Sequence, residues 1–256
     1  MARVFVTGSS TGLGLMAGQL LVEQGHEVVL HARDAARAAQ ARTDLGRDVP
    51  VVTGDVSTIA TMRSVAEQAN RAGPYDAVIH NVAVGYRERQ NKTADGLPHL
   101  FAINTLAPYV LTALIERPKR LVYLSSGMHH SADANLQDLT WKKRPWAGAQ
   151  AYAESKLHNT LLAFAVARRW PHVLSNALEP GWVATRMGGA GASDDLDQGH
   201  RTQVWLAVSD DSAARVTGGY FYHLKKRAPN PSAHDQALQD GLIEACRKLS
   251  GVALPA

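Results

Sequence analysis

Short apolar strands alternate with helices along most of this 256-residue chain. Parallel strands joined by helical crossovers form a doubly wound sheet with helices on both faces. No linker or internal repeat interrupts the alternation, so we predict one α/β domain over residues 1–256. The predicted strands are 3–7, 27–31, 49–53, 76–79, 120–124, 173–178 and 219–221, and the predicted helices are 14–24, 35–45, 58–72, 97–116, 149–169 and 232–249.

A glycine-rich loop joins the first strand to the first helix, and it reads Thr-Gly-Ser-Ser-Thr-Gly-Leu-Gly over residues 7–14. Glycines permit a tight turn and let the backbone approach a pyrophosphate closely. The free N–H groups and the dipole of the following helix favour an anion at the same place. We therefore predict a dinucleotide-phosphate site formed by Gly8, Ser10, Thr11, Gly12, Leu13 and Gly14.

Tyr152 and Lys156 are four residues apart within the predicted helix 149–169. This spacing places both side chains on one face, one turn apart. An ammonium group beside a phenol favours the phenolate, so we expect the pKa of Tyr152 to fall from its usual value of about 10. The pair alone is a weak motif, and the alternative is an amphipathic helix that contains both residues by chance.

Together these motifs resemble those of the classical short-chain dehydrogenases/reductases. Residues 7–14 have the TGxxxGxG form of that family, and Tyr152 and Lys156 match its active-site pair. The resemblance covers nearly the whole chain. It implies a single Rossmann-type doubly wound parallel sheet with helices on both faces. It also implies hydride transfer between a nicotinamide cofactor and a small-molecule carbonyl or alcohol.

The resemblance implies a catalytic set of four residues. Ser126 would polarise the substrate carbonyl, whereas Ser125 would turn into the sheet. Tyr152 would transfer the proton, and Lys156 would lower the tyrosine pKa and bind the nicotinamide ribose. Asn104 would hold a water molecule that resupplies the proton through Lys156; the alternative for Asn104 is a hydrogen bond inside its helix.

Further cofactor contacts follow from the same family pattern. The residues Asp55 and Val56 end the third strand, where the family holds the adenine ring. Asn81 is kept from the family's NNAG motif, whereas Val82 and Ala83 replace its small residues. The segment 179–185 matches PGxVxT and would contact the nicotinamide. The implied cofactor residues are Asp55, Val56, Asn81, Tyr152, Lys156, Pro180, Gly181, Val183 and Thr185.

The end of the second strand favours NADP(H) over NAD(H), although NAD(H) remains an alternative. Ala32 stands where NAD-specific members carry an acid that binds the ribose. Arg33 follows and can form a charge-assisted fork with a 2′-phosphate. His31 is expected to add a weaker contact. Asp34 either neutralises the arginine or, as we favour, caps the next helix.

Two segments distinguish this chain from many members of the family. An insert at about 127–149 lengthens the stretch between Ser126 and Tyr152, as in the retinol-dehydrogenase-like and WW-domain-oxidoreductase-like branch. Its residues His129 and His130 are predicted to be exposed. A glycine-rich run within about 186–200 predicts a mobile lid. Residues 188–195 are expected to be its most mobile part.

The composition excludes several other classes of function. The net charge is only +4, and the basic clusters 142–144 and 225–227 are predicted to be solvated loops, so we expect no nucleic-acid partner. The single cysteine, Cys246, permits no internal disulfide and indicates a reducing, cytoplasmic location. No metal motif is found, no apolar run reaches the ~18 residues of a membrane span, and a strand beginning at Arg3 leaves no room for a signal peptide.

The sequence favours an NADP(H)-dependent oxidoreductase that interconverts a carbonyl and an alcohol, with Tyr152 as the general acid/base. A catalytically silent dinucleotide-binding sensor or scaffold of the same fold is the main alternative. An epimerase or dehydratase of the extended branch fits the glycine spacing and the short C-terminal region less well. The resemblance also implies a homodimer through the helices around Asn104 and Tyr152, although this branch varies in oligomeric state.

Overall fold

A computed structural model describes residues 1–134 and 136–256; residue 135, in the predicted insert, lies outside the described residues. Eight strands form one sheet in the order β3-β2-β1-β4-β5-β6-β7-β8, in which the first seven strands run parallel and β8 is antiparallel to β7. The strands are β1 (Arg3–Val6), β2 (Glu27–Ala32), β3 (Val51–Thr53), β4 (Ala77–His80), β5 (Arg120–Leu124), β6 (Leu174–Glu179), β7 (Tyr220–Tyr222) and β8 (Lys225–Lys226). The predicted doubly wound α/β sheet is confirmed.

Helices cover both faces of this sheet. One layer contains α1, α2 and α7, and the other contains α3, α5, α6 and α8. The helices are α1 (Gly12–Glu23), α2 (Ala35–Leu45), α3 (Ile59–Ala72), α4 (His99–Phe101), α5 (Ala107–Leu114), α6 (Gly148–Arg169), α7 (Gln198–Val208) and α8 (Gln236–Ser250), with a π-helical segment (Ala102–Leu106) between α4 and α5.

The first strand shows why the sheet needs cover on both faces. Val4, Phe5 and Val6 are all fully buried. Phe5 packs into one core cluster, whereas Val4 and Val6 pack into the other, as expected from the alternation of side chains along a strand. A strand buried on both faces has a continuous apolar sequence, which is typical of parallel sheets.

Helix α2 begins and ends where the sequence predicts. The carboxylate of Asp34 accepts the N–H of Arg37 at 2.8 Å, so the predicted capping role of Asp34 is confirmed. The helix ends at Leu45 and is followed by Gly46, which has a φ of 69° that glycine adopts without strain. These two terminal signals explain the agreement between the predicted and observed bounds.

Two elements are absent from the sequence-based prediction. Helix α7 begins inside the segment 186–200 that was predicted to be a lid, so that segment is shorter than expected. Gly199 in its first turn packs closely, since a Cβ added there would lie 2.9 Å from a methyl carbon of Leu13. Strand β8 replaces part of the predicted loop at 225–227, so the loop assignment is wrong there, although these residues are exposed as predicted. Arg227 pairs with the buried carboxylate of Glu179 at 2.5 Å.

Helix α6 is covered along most of its length by α8 and by the insert. Arg144 of the insert forms a forked pair with the buried carboxylate of Glu154, at 2.6 and 2.5 Å, and stacks on Trp141. The prediction that the basic cluster 142–144 is solvated is therefore wrong for Arg144, whereas Lys142 and Lys143 are exposed as predicted. All residues from Ala151 to Ala167 are buried. Among the described residues, no helix is both long and apolar enough to cross a bilayer.

Candidate active site

A cleft of about 790 Å³ lies beyond the carboxyl ends of the strands. This is the edge of a doubly wound sheet at which ligands bind. Ten of the predicted site residues line it: Gly8, Thr11, Gly12, Leu13, Gly14, Asn81, Tyr152, Lys156, Pro180 and Thr185. Eight others do not line it: Ser10, Arg33, Asp55, Val56, Asn104, Ser126, Gly181 and Val183.

The glycine-rich loop forms one end of the cleft. Gly14 touches Asn81 so closely that an added Cβ would lie 2.5 Å from its amide nitrogen. The same amide donates to the carbonyl oxygens of Thr7 and Gly8, both at 3.0 Å. Gly12 has a φ of 59°, and a Cβ added there would meet open space. No side chain caps the start of α1. These features fit a diphosphate held by backbone N–H groups.

His31 does not face a phosphate, so that prediction is wrong. Its side chain is only 2% exposed, and both ring nitrogens are bonded to backbone groups of Gly8 and Gly54. Arg33, by contrast, has a side chain that is 62% exposed. Its Nε lies 3.4 Å from the carboxylate of Asp34, which Arg37 also approaches at 4.0 Å. The guanidinium of Arg33 remains accessible beyond the end of β2.

The predicted adenine-side residues follow β3. The carboxylate of Asp55 accepts the N–H of Ser57 at 3.0 Å and so shapes the turn after the strand. The side chain of Val56 is buried in the core. Only Asp55 of this pair therefore offers a side chain near the surface.

Tyr152 and Lys156 lie at the other end of the cleft. The ammonium nitrogen of Lys156 lies 5.5 Å from the centre of the Tyr152 ring and donates to the carbonyl oxygen of Leu124 at 3.0 Å. Burial raises the pKa of Tyr152 to about 12, which the hydroxyl of Ser126 partly opposes, and burial lowers the pKa of Lys156 to about 8. The predicted fall in the tyrosine pKa is therefore wrong for this state, because the ammonium points at Leu124 and not at the phenol.

The two serines after β5 have different surroundings, as predicted. Ser125 is buried, and its hydroxyl donates to the carbonyl oxygen of Lys156 at 2.8 Å. Ser126 is only partly buried and interacts with the hydroxyl of Tyr152. The prediction that both insert histidines are exposed is wrong for His129, which is fully buried and bonded to the carbonyl oxygen of Ser126 at 2.8 Å.

Asn104 lies in the π-helical segment and is completely buried. Its amide oxygen accepts the N–H of Val84 at 2.8 Å, and its amide nitrogen donates to the carbonyl oxygen of Val84 at 3.0 Å and to Ser155 Oγ at 3.1 Å. The side chain therefore joins the cleft-lining loop after β4 to helix α6. This arrangement differs from a hydrogen bond within its own helix.

The segment that follows β6 forms one wall of the cleft, which Pro180 and Thr185 line. Gly181 has a φ of 86° and lies against Asp194, whose carboxylate accepts the N–H of Trp182 at 2.7 Å. The side chain of Val183 is buried, and the hydroxyl of Thr185 accepts the N–H of Gly188 at 3.2 Å. These hydrogen bonds hold the two ends of the segment 181–194 close together.

The sequence analysis missed three cleft residues near the tyrosine. The sulfur of Met187 lies 3.7 Å from the hydroxyl of Tyr152. The ring of Tyr86 meets that of Tyr152 edge-on at 6.1 Å, and the guanidinium of Arg87 lies 5.2 Å from the Tyr86 ring centre. Their loops carry no motif that marks them, since only the folded chain brings them to Tyr152.

Comparison with known proteins assigns a family to this arrangement. A family model described as short chain dehydrogenase matches residues 2–123. An uncharacterized oxidoreductase from Emericella nidulans is 41% identical over 260 residues, covering 100% of this chain and 99% of the relative. Short-chain dehydrogenase chyC from Penicillium rubens is 39% identical over 260 residues, covering 100% of both. Human retinol dehydrogenase 13 is 29% identical over 287 residues, covering 98% of this chain and 85% of the relative.

Solved structures share the fold. An uncharacterized protein from Mycobacterium paratuberculosis has a TM-score of 0.87 at 24% identity, covering 100% of this chain and 96% of the other. A blue fluorescent protein from a metagenomic library, solved in complex with NADPH, has a TM-score of 0.68 at 20% identity, covering 86% of this chain and 94% of the other.

Proposed function

Because this chain belongs to the short-chain dehydrogenase/reductase family, in its retinol-dehydrogenase-like branch, we propose that it interconverts a carbonyl and an alcohol with NADP(H). One observation carries the proposal. A single cleft joins a glycine-rich loop at the start of α1 to the pair Tyr152 and Lys156. The first end suits the diphosphate of a dinucleotide, and the second offers a proton donor beside a cation.

A nicotinamide cofactor held in the cleft would supply or accept the hydride, and the side chains of this chain would transfer the proton. In this proposal Ser126, whose hydroxyl interacts with that of Tyr152, donates a hydrogen bond to the substrate oxygen and stabilises the charge that develops there. Tyr152 is protonated at neutral pH because burial raises its pKa to about 12. It therefore serves as the general acid in the direction of carbonyl reduction.

Lys156 has two roles in this proposal. When Tyr152 gives up its proton, the ammonium 5.5 Å from the ring centre stabilises the phenolate. Its position between the strand end at Leu124 and the cleft also suits a hydrogen bond to the nicotinamide ribose. Asn104 contributes indirectly, since it fixes the loop at Val84 that lines the cleft.

We propose that NADP(H) is preferred to NAD(H). Ala32 is buried and offers no acid to bind the ribose hydroxyls, and the exposed Arg33 is the cation nearest in sequence. The blue fluorescent protein of similar fold was solved with NADPH, which is consistent with this choice. One phosphate anchor of this kind contributes about ten- to a hundredfold in affinity.

Titration of NADPH and NADH against the wild type and Arg33→Ala tests the cofactor choice. We expect the wild type to bind NADPH more tightly and Arg33→Ala to lose most of that difference. Arg47→Ala removes an arginine outside the cleft and serves as the control. Equal affinities in the wild type would refute the preference, and a preference that survives Arg33→Ala would assign the phosphate to another residue.

Turnover on a panel of aldehydes and ketones tests the activity itself. Oxidation of NADPH that depends on the carbonyl compound supports the proposal. Tight binding of NADPH without turnover on any member of the panel would favour the silent sensor or scaffold. That alternative has one structural observation in its favour, because the sulfur of Met187 covers the hydroxyl of Tyr152.

The proposed partner is a small carbonyl compound or alcohol. A homodimer would need a face other than that of α6, because α8 and the insert cover this helix. A cytoplasmic location is proposed from the single cysteine, Cys246, which leaves no internal disulfide.

A further inference from the structure

His31 is the last but one residue of β2 and lies between the glycine-rich loop and the end of β3. Its Nδ1 accepts the backbone N–H of Gly8 at 2.9 Å, and its Nε2 lies 2.9 Å from the carbonyl oxygen of Gly54. Its own N–H donates to Ser9 Oγ at 2.8 Å, and its carbonyl oxygen accepts the N–H of Ser9 at 3.0 Å. Every polar group of this buried residue therefore binds one of two loops.

These partners determine the form of the imidazole. Because the N–H of Gly8 is a donor, Nδ1 carries no proton, and because the oxygen of Gly54 is an acceptor, Nε2 carries one. The ring is therefore the neutral Nε2–H tautomer. Burial favours the same form by lowering the pKa of His31, against smaller opposing effects of the Gly54 carbonyl and the Asp55 carboxylate.

One of the two bonded loops is the glycine-rich loop, which lines the cleft, and the other is the turn after β3, where the family pattern places the adenine ring. Gly8 begins the glycine-rich loop, and Gly54 directly precedes Asp55 at the end of β3. Since the N–H of Gly8 is used by His31, that donor is not offered to a phosphate. The imidazole thus acts as a spacer of fixed length between the phosphate loop and the turn at Asp55.

We propose that His31 is a positioning residue for the cofactor, which it never touches. It sets the separation between the glycine-rich loop and the end of β3, and so the fit of the adenosine diphosphate part of a dinucleotide. This inference rests on the proposed function, because it requires that the cleft binds a dinucleotide.

Three substitutions separate the two hydrogen bonds. His31→Leu fills similar space and leaves both Gly8 and Gly54 without a partner. His31→Asn keeps an acceptor where Nδ1 stood, and His31→Gln keeps a donor where Nε2 stood. We expect His31→Leu to weaken NADPH binding about ten- to a hundredfold, because two buried polar groups lose their partner. The Asn and Gln variants should each recover part of this loss.

A second histidine provides the matched control. His80 ends β4, which is separated from β2 by β1 in the sheet. It is about equally buried, and its side chain bonds to Thr112 and not to the glycine-rich loop. His80→Leu should lower thermal stability as His31→Leu does, yet leave the Kd for NADPH within about threefold. The role of His31 also predicts that its Leu variant raises the KM for NADPH while kcat at saturating NADPH stays within about threefold.

The outcomes are distinguishable. A wild type that binds no dinucleotide refutes the proposed function and this inference with it. A wild type that binds NADPH, with His31→Leu binding equally well, refutes the inference alone. If His31→Leu and His80→Leu lose the same affinity for NADPH, the loss reflects only lower stability, and the inference is refuted. It is also refuted if neither His31→Asn nor His31→Gln recovers any affinity. An Nδ1–H tautomer of His31, observed by nitrogen NMR of the imidazole, would also overturn the inference.

Discussion

At the scale of single residues, burial controls the chemistry of the candidate site. Sequence spacing alone placed Tyr152 and Lys156 on one helical face, and the structure agrees. The spacing could not give the direction in which each pKa moves, because this depends on what surrounds the side chains. In the folded chain both groups are buried, so the phenol holds its proton more tightly and the lysine holds its proton less tightly.

This environment predicts the pH dependence of carbonyl reduction. Burial lowers the pKa of Lys156 to about 8, so its ammonium is present below that pH and is lost above it. Tyr152, with a pKa of about 12, stays protonated across this range. We therefore expect kcat/KM for reduction to fall as the pH rises through about 8.

A pH profile of Lys156→Arg provides the comparison, because a guanidinium stays charged at high pH. The variant should be slower overall but should show no fall near pH 8. A wild-type profile that is flat up to pH 10 would contradict the assigned role of the ammonium.

The contacts of His31 could not be predicted from the sequence. A strand that is buried on both faces does not reveal which of its side chains will meet a loop. The residue type suggested a contact with an anion, whereas the fold placed it against two backbone groups.

At the scale of helices and strands, prediction succeeded where local signals mark both ends. Helix α2 has Asp34 at its start and Gly46 at its end, and its bounds were predicted correctly. Helix α7 has no side-chain cap at its start. Its position depends on the close packing of Gly199 against Leu13, which is a contact between distant parts of the chain. The π-helical segment around Asn104 was likewise not predicted within the expected helix.

The prediction at the scale of helices and strands concerns the proposed lid within residues 186–200. In the proposed mechanism, Met187 must leave the hydroxyl of Tyr152 before a substrate oxygen can bind there. We expect residues 188–195 to exchange amide hydrogens faster than other internal segments when no ligand is present. NADPH together with a substrate or inhibitor should protect them. Hydrogen exchange read by mass spectrometry measures both states, and equal protection with and without ligands would argue against a lid.

At the scale of the whole molecule, buried neutral histidines make stability depend on pH. Burial lowers the pKa of His80 and of His158 to about 3, and that of His129 to about 4. In the unfolded chain each titrates near 6.5, so below this pH the unfolded state binds protons that the folded state does not. The stabilisation is complete above about pH 7 and is lost progressively as the pH falls below 6.5.

We therefore expect the free energy of unfolding to decrease between pH 7 and pH 5 by about 2 kcal/mol for each of these histidines. The urea midpoint should decrease with it. Tryptophan fluorescence follows the transition. His158→Gln should make the decrease smaller, because one titrating group is removed. A midpoint that stays constant from pH 7 to pH 5 would contradict the buried, neutral state of these side chains.

The central claim is that one cleft holds the cofactor while Tyr152 supplies the proton. Parallel measurement of NADPH binding and carbonyl reduction in Tyr152→Phe tests it most directly. Tyr75→Phe, which removes a buried hydroxyl outside the cleft, is the control and should keep most of its activity. Tyr152→Phe should abolish turnover while the Kd for NADPH stays within about tenfold, since the hydroxyl acts on the transferred charge and not on cofactor anchoring. Near-normal turnover in Tyr152→Phe would contradict the claim.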